Sequence, residues 1–338
     1  MKRVVIIAIL LVMTQMLSAQ WKKIWSLPEK SNDYISCACY MGGNILVTSA
    51  ISGVLVSSDN GITFKESNKG LKTDTSVKKG EFGYYPNFYY LVAAGSDIIA
   101  TCGTTGVYRS VDKGVCWNEA TRGIADPKDF RLSSNQKVVF GSGSDQILYR
   151  WNSQTVRWDS VTDGISDFAV NEIGLFVSVG GSLYRSVDQG ETWDEILFDP
   201  GNPDQEMYAW NSQESPGDGV SIQAAGKYVL ANCCYQSVIM SSDSGSTWKS
   251  LNTNYIGGIA NSGKMLFITP ELYEPVGIMK SADGGKTWKT ANTGLPPGYI
   301  QDREIFPVSR IFISGKDLFA IYRGNELWRR PLAELMAP

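Results

Sequence analysis

The sequence predicts an all-β ring of seven four-stranded antiparallel sheets, and three observations carry that prediction. An eight-residue box, S-x-D-x-G-x-(T/C)-(W/F), recurs at 57–64, 110–117, 186–193, 241–248 and 281–288. Each copy follows three short runs rich in Val, Ile, Leu and Tyr with Gly or Asn turns between them, a strand pattern with no sustained helical period. No box follows the last such set, yet Trp21-Lys22-Lys23-Ile24 near the start resembles Trp248-Lys249-Ser250-Leu251 after the fifth box. A repeat of this kind sets architecture before any single residue does.

Taken in order, each unit has strands A, B and C, the box, and a strand D beginning at the box aromatic. Strands A, B and C are expected at 35–41, 45–50 and 53–58, then at 90–94, 98–102 and 106–111. The third unit has 130–134, 137–141 and 146–151, and its box has decayed to 152–158, keeping only Trp158. The fourth to sixth units have 167–171, 175–179 and 182–187; 220–225, 228–233 and 237–242; and 257–260, 265–269 and 276–282. The seventh has 310–314 and 318–322, and then Glu326-Leu327-Trp328-Arg329 aligns as strand C and runs into Pro331. Residues 20–27 supply the missing strand D. Radial repetition of this kind is a propeller, one domain over residues 20–338, closed by its own N-terminal strand so that no edge is left at the seam.

The box is a turn in chemical terms. Its Asp can accept hydrogen bonds from backbone N–H groups further on, its Gly supplies a left-handed backbone, its hydroxyls satisfy turn groups, and its Trp covers the turn. The positions are Asp59 and Gly61; Asp112, Gly114 and Trp117; Asp188, Gly190 and Trp193; Asp243, Gly245 and Trp248; and Asp283, Gly285 and Trp288, with Phe64 and Cys116 as variants. Residue by residue they resemble the Asp-box, or bacterial neuraminidase repeat, of sialidases, tandem-propeller xyloglucan-cleaving hydrolases, sortilin-type receptors and photosystem II assembly factor-like proteins. The resemblance implies a propeller in which the box is a structural corner and its Asp is not catalytic. One carboxylate per box is also far short of the six to eight oxygens a hard cation takes, so no metal site is expected.

Composition narrows the function classes. The chain has 338 residues and 31 basic against 34 acidic side chains, a net charge of −3, which argues against nucleic acid as the partner. Met1-Lys2-Arg3, the apolar run 4–13 and Leu17-Ser18-Ala19 have the layout of a cleavable signal peptide over residues 1–19, which implies secretion to the periplasm or beyond. Its loss removes two basic residues and leaves no segment long enough to span a bilayer. The six cysteines, Cys37, Cys39, Cys102, Cys116, Cys233 and Cys234, read as buried thiols, with disulfides permitted. There is no histidine, so the usual general base and metal ligand are missing, and no cofactor is expected. A monomeric ring is expected.

Loops joining D to the next A emerge on the face opposite the boxes. Three are long, 68–89, 198–219 and 294–309, and carry aromatics beside charges, a mixture suited to a glycan or a protein. The candidate ligand-binding residues are Tyr84, Tyr85, Tyr89, Asp129, Arg131, Asp167, Tyr208, Trp210, Asp302, Arg303, Glu304 and Arg310. Arg109, Arg150, Arg185 and Arg329 recur at one C-strand position, as structural residues do. The Phe-Arg-Ile-Pro signature and arginine triad of sialidases are missing: strand A before the first box reads Tyr34-Ile35-Ser36-Cys37-Ala38-Cys39-Tyr40. The expectation is a non-catalytic binding propeller. Alternatives are a glycoside hydrolase using carboxylates on the loop face, and an assembly or stability factor for a partner protein.

Overall fold

Seven four-stranded antiparallel sheets form the molecule, and the N-terminal strand Lys22–Ser26 closes the last by pairing with Glu326–Pro331. Blade 1 is Ile35–Met41, Asn44–Ser49, Gly53–Ser57 and Lys65–Glu66; the first strands of blades 2 to 7 are Phe88–Ala94, Arg131–Ser134, Ile165–Val170, Ser221–Ala225, Ile256–Ser262 and Val308–Ser314. Each first strand touches the first strands on both sides, so these seven line the centre and the ring is closed. The computed structural model describes residues 20–28, 33–49, 51–73, 88–102, 106–196, 221–233, 237–243, 245–251, 256–270, 277–300, 303–305 and 307–336. The expected signal peptide lies outside them.

The core is divided by junction. Among the described residues, seven apolar clusters each join two neighbouring blades, as where Phe140 and Leu148 of blade 3 meet Ile165 and Phe168 of blade 4. The alternation of the strands puts one row of side chains into each junction. Cys37, Cys39 and Cys102 are buried free thiols in one of these clusters, and burial pushes the Cys39 thiol up.

The five boxes fold alike. In blade 4, Asp188 Oδ1 accepts from Ser186 Oγ (2.8 Å) and Thr192 N (2.9 Å), and Oδ2 accepts from Thr192 Oγ1 (2.6 Å). Hydrogen bonds led by the Thr63 and Thr192 hydroxyls hold Asp59 and Asp188 down at about 2, although both are exposed. The Thr287 hydroxyl likewise leads the lowering of Asp283. At Asp112 and Asp243 burial opposes the shift, but the turn hydrogen bonds still prevail and both lie below the usual carboxylate range.

The box glycine has a second role. Gly190 has φ +98°, and a Cβ there would lie 2.2 Å from Val161 Cγ1 of blade 3. Gly61, Gly114, Gly245 and Gly285 meet the preceding blade in the same way. The boxes therefore also pack blade against blade. Trp117 Nε1 reaches Ser67 O (2.9 Å), and Trp158 Nε1 reaches Ala120 O (2.9 Å), each in the blade before. In the decayed box, Asn152 Oδ1 receives Gln154 N and Thr155 N and so keeps the turn.

At the seam Trp21 takes the place of a box Trp. Its indole donates to Ala291 O (2.6 Å) and its N–H to Thr293 O (3.0 Å), the contacts that Trp117 and Trp158 make with their neighbours. Phe64 packs on Trp25 of the closing strand, ring centroids 4.4 Å apart. Two features depart from the expected strand plan. The connection 294–309 contains a hairpin, Gly298–Ile300 with Arg303–Ile305, and the chain after Pro331 forms a short helix, Leu332–Leu335.

Candidate functional site

Register, more than composition, assembles the site. Strand A begins on the loop face, and the residues there pair across to strand B as Cys37 with Thr48, Tyr90 with Thr101, Arg131 with Ser142, Asp167 with Ser178, Ser221 with Asn232, Gly258 with Thr269, and Arg310 with Ile321. The seven left-hand members form an inner ring on the face opposite the boxes. In five blades a bulge immediately precedes the ring residue, as between Ile165 and Asp167, which re-aims the side chain.

Ring side chains reach toward the following blade. Arg131 Nη1 donates to Asp167 Oδ1 (2.7 Å) and Nη2 to Ser166 O (2.8 Å), with the guanidinium 6.0 Å from the centroid of Phe168. Asp167 Oδ2 accepts from Ile222 N of blade 5 (2.9 Å). Cys37 faces Leu91 O of blade 2, and Arg310 Nη1 of blade 7 lies 3.5 Å from Cys37 Sγ. A thiol is a weak acceptor, and among the described residues Arg310 has no ion pair.

Titration follows burial and these charges. Burial pushes the Asp167 carboxyl above its ordinary value, against the pull of Arg131 and the N–H groups of Ile222 and Phe168. Burial also raises the Tyr90 hydroxyl, while the fields of Arg131 and Arg310 act the other way. One tyrosine thus senses both arginines, Asp167 and Cys37 across the ring. With Asp167 committed to Arg131, the Arg310 guanidinium is the ring charge left uncompensated among the described residues. That chemistry suits an acceptor group entering the mouth.

The expected residues divide accordingly. Arg131, Asp167 and Arg310 come together. Asp129 lies two residues before the ring, exposed, with φ +52° and its carboxylate 3.4 Å from Ser144 Oγ. Tyr89 is on strand A at the bulge, and Arg303 and Glu304 are on the added hairpin; the side chains of all three, and all of Tyr84, Tyr85, Tyr208, Trp210 and Asp302, lie outside the described residues. Tyr90, the ring member of blade 2, is a further site residue that no motif marks in the sequence. A further repeat, Asn68-x-Gly70, Thr121-x-Gly123 and Asn292-x-Gly294, follows strand D. There Asn68, Thr121 and Asn292 accept from the N–H of strand C, at Val54, Val107 and Ile278, and a Cβ on the glycine would strike Trp117, Trp158 or Trp21.

The C-strand arginines are structural. Arg109 holds buried Asp97 (2.8 Å), which also takes Trp151 Nε1 (2.8 Å), and Arg329 approaches Asp317 and the carbonyl of Asn60. Among the described residues no cluster of His, Cys, Asp and Glu could hold a metal, and no helix is long and apolar enough to cross a membrane.

No family model and no curated protein matches the sequence. Solved structures do match. YCF48 from Cyanidioschyzon merolae is similar at TM-score 0.59 and 12% identity, over 93% of this chain and 99% of that one. YCF48 bound to D1 peptide is similar at TM-score 0.59 and 13% identity, over 94% and 97%. The GH74 enzyme of Niastella koreensis is similar at TM-score 0.55 and 16% identity, over 89% of this chain but 43% of its own. These likenesses concern the fold.

Proposed function

We propose that this chain is a secreted, non-catalytic Asp-box propeller that holds a protein partner against the face opposite its boxes, as an assembly or stability factor does. The observation that carries the reading is the convergence of Tyr90, Arg131, Asp167 and Arg310 on one inner ring, where Arg310 has no carboxylate partner among the described residues. The peptide bound by YCF48 gives a precedent for this fold. In-cell cross-linking followed by mass spectrometry tests it, comparing wild type with Arg310→Ala. One partner lost from the variant, with its melting temperature unchanged, supports the reading; an identical set of adducts removes it.

The likeness to a GH74 enzyme favours a glycoside hydrolase as the second reading. Asp167 is a poor nucleophile while it holds Arg131 and Ile222 N, so the exposed Asp129 would be one of the pair. Release of reducing sugar from xyloglucan or sialyl substrates that disappears in Asp129→Asn would favour it. A glycan array that finds only non-hydrolysed ligands would turn the partner from protein to carbohydrate. Secretion rests on the expected leader: N-terminal sequencing of envelope-fraction protein should begin at Gln20, and an intact Met1 in the cytosol would contradict it.

A further inference from the structure

The box face has charge to spare in one sector. The A–B turns of blades 6 and 7 end in exposed Lys264 and Lys316, and blade 6 adds exposed Lys286 at its box and Lys289 just beyond. The turns of blades 5 and 6 touch, since a Cβ on Gly226 would lie 2.3 Å from Asn261 Oδ1. The short helix Leu332–Leu335 is set between blades 6 and 7: Leu332 N donates to Lys316 O (2.9 Å), and Lys280 Nζ donates to Leu335 O (2.7 Å). Met336 follows it, half exposed. Lys264, Lys286, Lys289 and Lys316 thus lie on blades 6 and 7, the two blades that hold this small apolar knob.

The carboxylates of this sector are few and fixed in place. Asp243 and Asp283 stay anionic inside their boxes, Asp317 accepts from Asn60 Nδ2 (2.9 Å) with Arg329 at 3.9 Å, and Glu334 lies 3.8 Å from Arg330. Lys264, Lys286, Lys289 and Lys316 make no ion pair among the described residues. Like charges are crowded enough to be felt: burial first, then Arg330 and Lys289, depress Lys280. An unneutralised local charge of this kind is an electrostatic docking feature rather than a fold determinant.

We propose that the box face over blades 5 to 7 is a second docking surface, for an acidic polypeptide segment with an apolar residue to set on Met336. Shape decides between this and an anionic membrane. The same face carries exposed Glu172 and Glu191 on blade 4, which a flat anionic surface would have to meet together with the lysines. A narrow acidic segment meets the lysines alone.

The test uses the leader-free full chain and fluorescein-labelled octaglutamate, with octaglutamine as the neutral control. The combined variant Lys264→Glu, Lys286→Glu and Lys316→Glu should weaken octaglutamate binding at low salt by about tenfold or more, and the charge-matched variant Lys65→Glu, Lys113→Glu and Lys128→Glu by less than about twofold. Raising ionic strength should abolish the wild-type signal, because exposed charges are screened over about 8 Å at physiological salt. Equal loss in both variants, or equal binding of octaglutamine, would overturn the proposal. Phosphatidylglycerol vesicles that bind through the same lysines when octaglutamate does not would replace the polypeptide with a lipid surface. Melting curves check that both variants fold, which the exposure of all six lysines predicts.

Discussion

Asp188 and Asp167 lie at opposite ends of blade 4, and their surroundings drive them in opposite directions. Asp188 is exposed on a turn, yet the hydroxyl and N–H of Thr192 and the hydroxyl of Ser186 hold it at about 2. Asp167 is buried and paired with Arg131, yet burial outweighs the pairing and raises it. The first carboxylate is fixed by its own loop and has nothing left to offer a ligand. The second is one member of a shared ring whose charges are read by several blades. The difference separates a corner that builds the fold from a mouth that can recognise something.

The largest expected effect tests whether both faces depend on the closed ring. Deleting 20–27 removes the closing strand, the Trp21 indole contact and the Lys23–Glu326 ion pair, and should lower the melting temperature by about 10 °C or more. An unchanged melt would mean the seam is not a closure.

Next, Asp167→Ala strands the Arg131 guanidinium and the Ile222 N–H, and should cost about 3 kcal/mol in denaturant unfolding. A cost near zero would mean that the ring is loosely held.

On the box face, Gly190→Ala places a Cβ into Val161 at a φ of +98°, and should cost about 2 kcal/mol.

Acid gives the smallest and most diagnostic effect. For Asp59 and Asp188 the folded-state value is depressed from 3.8 to about 2, so their stabilisation is complete above 3.8 and is lost as pH falls through that window. Asp167 has the opposite sign: its folded-state value is raised, so its contribution is greatest below the ordinary carboxylate value and declines as pH rises through the raised one. Asp59→Asn with Asp188→Asn should flatten the acid limb of the melting-temperature profile, and Asp167→Asn should leave that limb in place. The reverse pattern would break the assignment of the two carboxylates.

The fold was legible because the box is local. Its Ser, Asp, Gly and Thr bond to one another within a few residues, so a chain read in order displays them and counts blades. Closure was legible too, because Trp21 resembles a box Trp in sequence and occupies that place in space. The ring was only partly legible. Arg131, Asp167 and Arg310 could be named, but their equivalence depends on register, and a bulge before the ring position shifts it by one residue. Tyr90, which senses both arginines, gave no signal of its own, because it opens the expected strand 90–94 directly after the aromatic loop. The C-terminal helix gave no periodic signal, since its four residues are placed by bonds to Lys316 of its own blade and Lys280 of blade 6.

The protein partner of the proposed function is recognised on the loop face, while the box turn of blade 4 only builds the ring. This division is tested most directly by a photo-crosslinking amino acid placed in turn at Asp129, beside the ring, and at Val187, exposed on the blade 4 box and away from the lysine sector. A discrete protein adduct is expected from Asp129, lost when Arg310→Ala is added, and none from Val187. An adduct from Val187 alone, or one from Asp129 indifferent to Arg310, would contradict it.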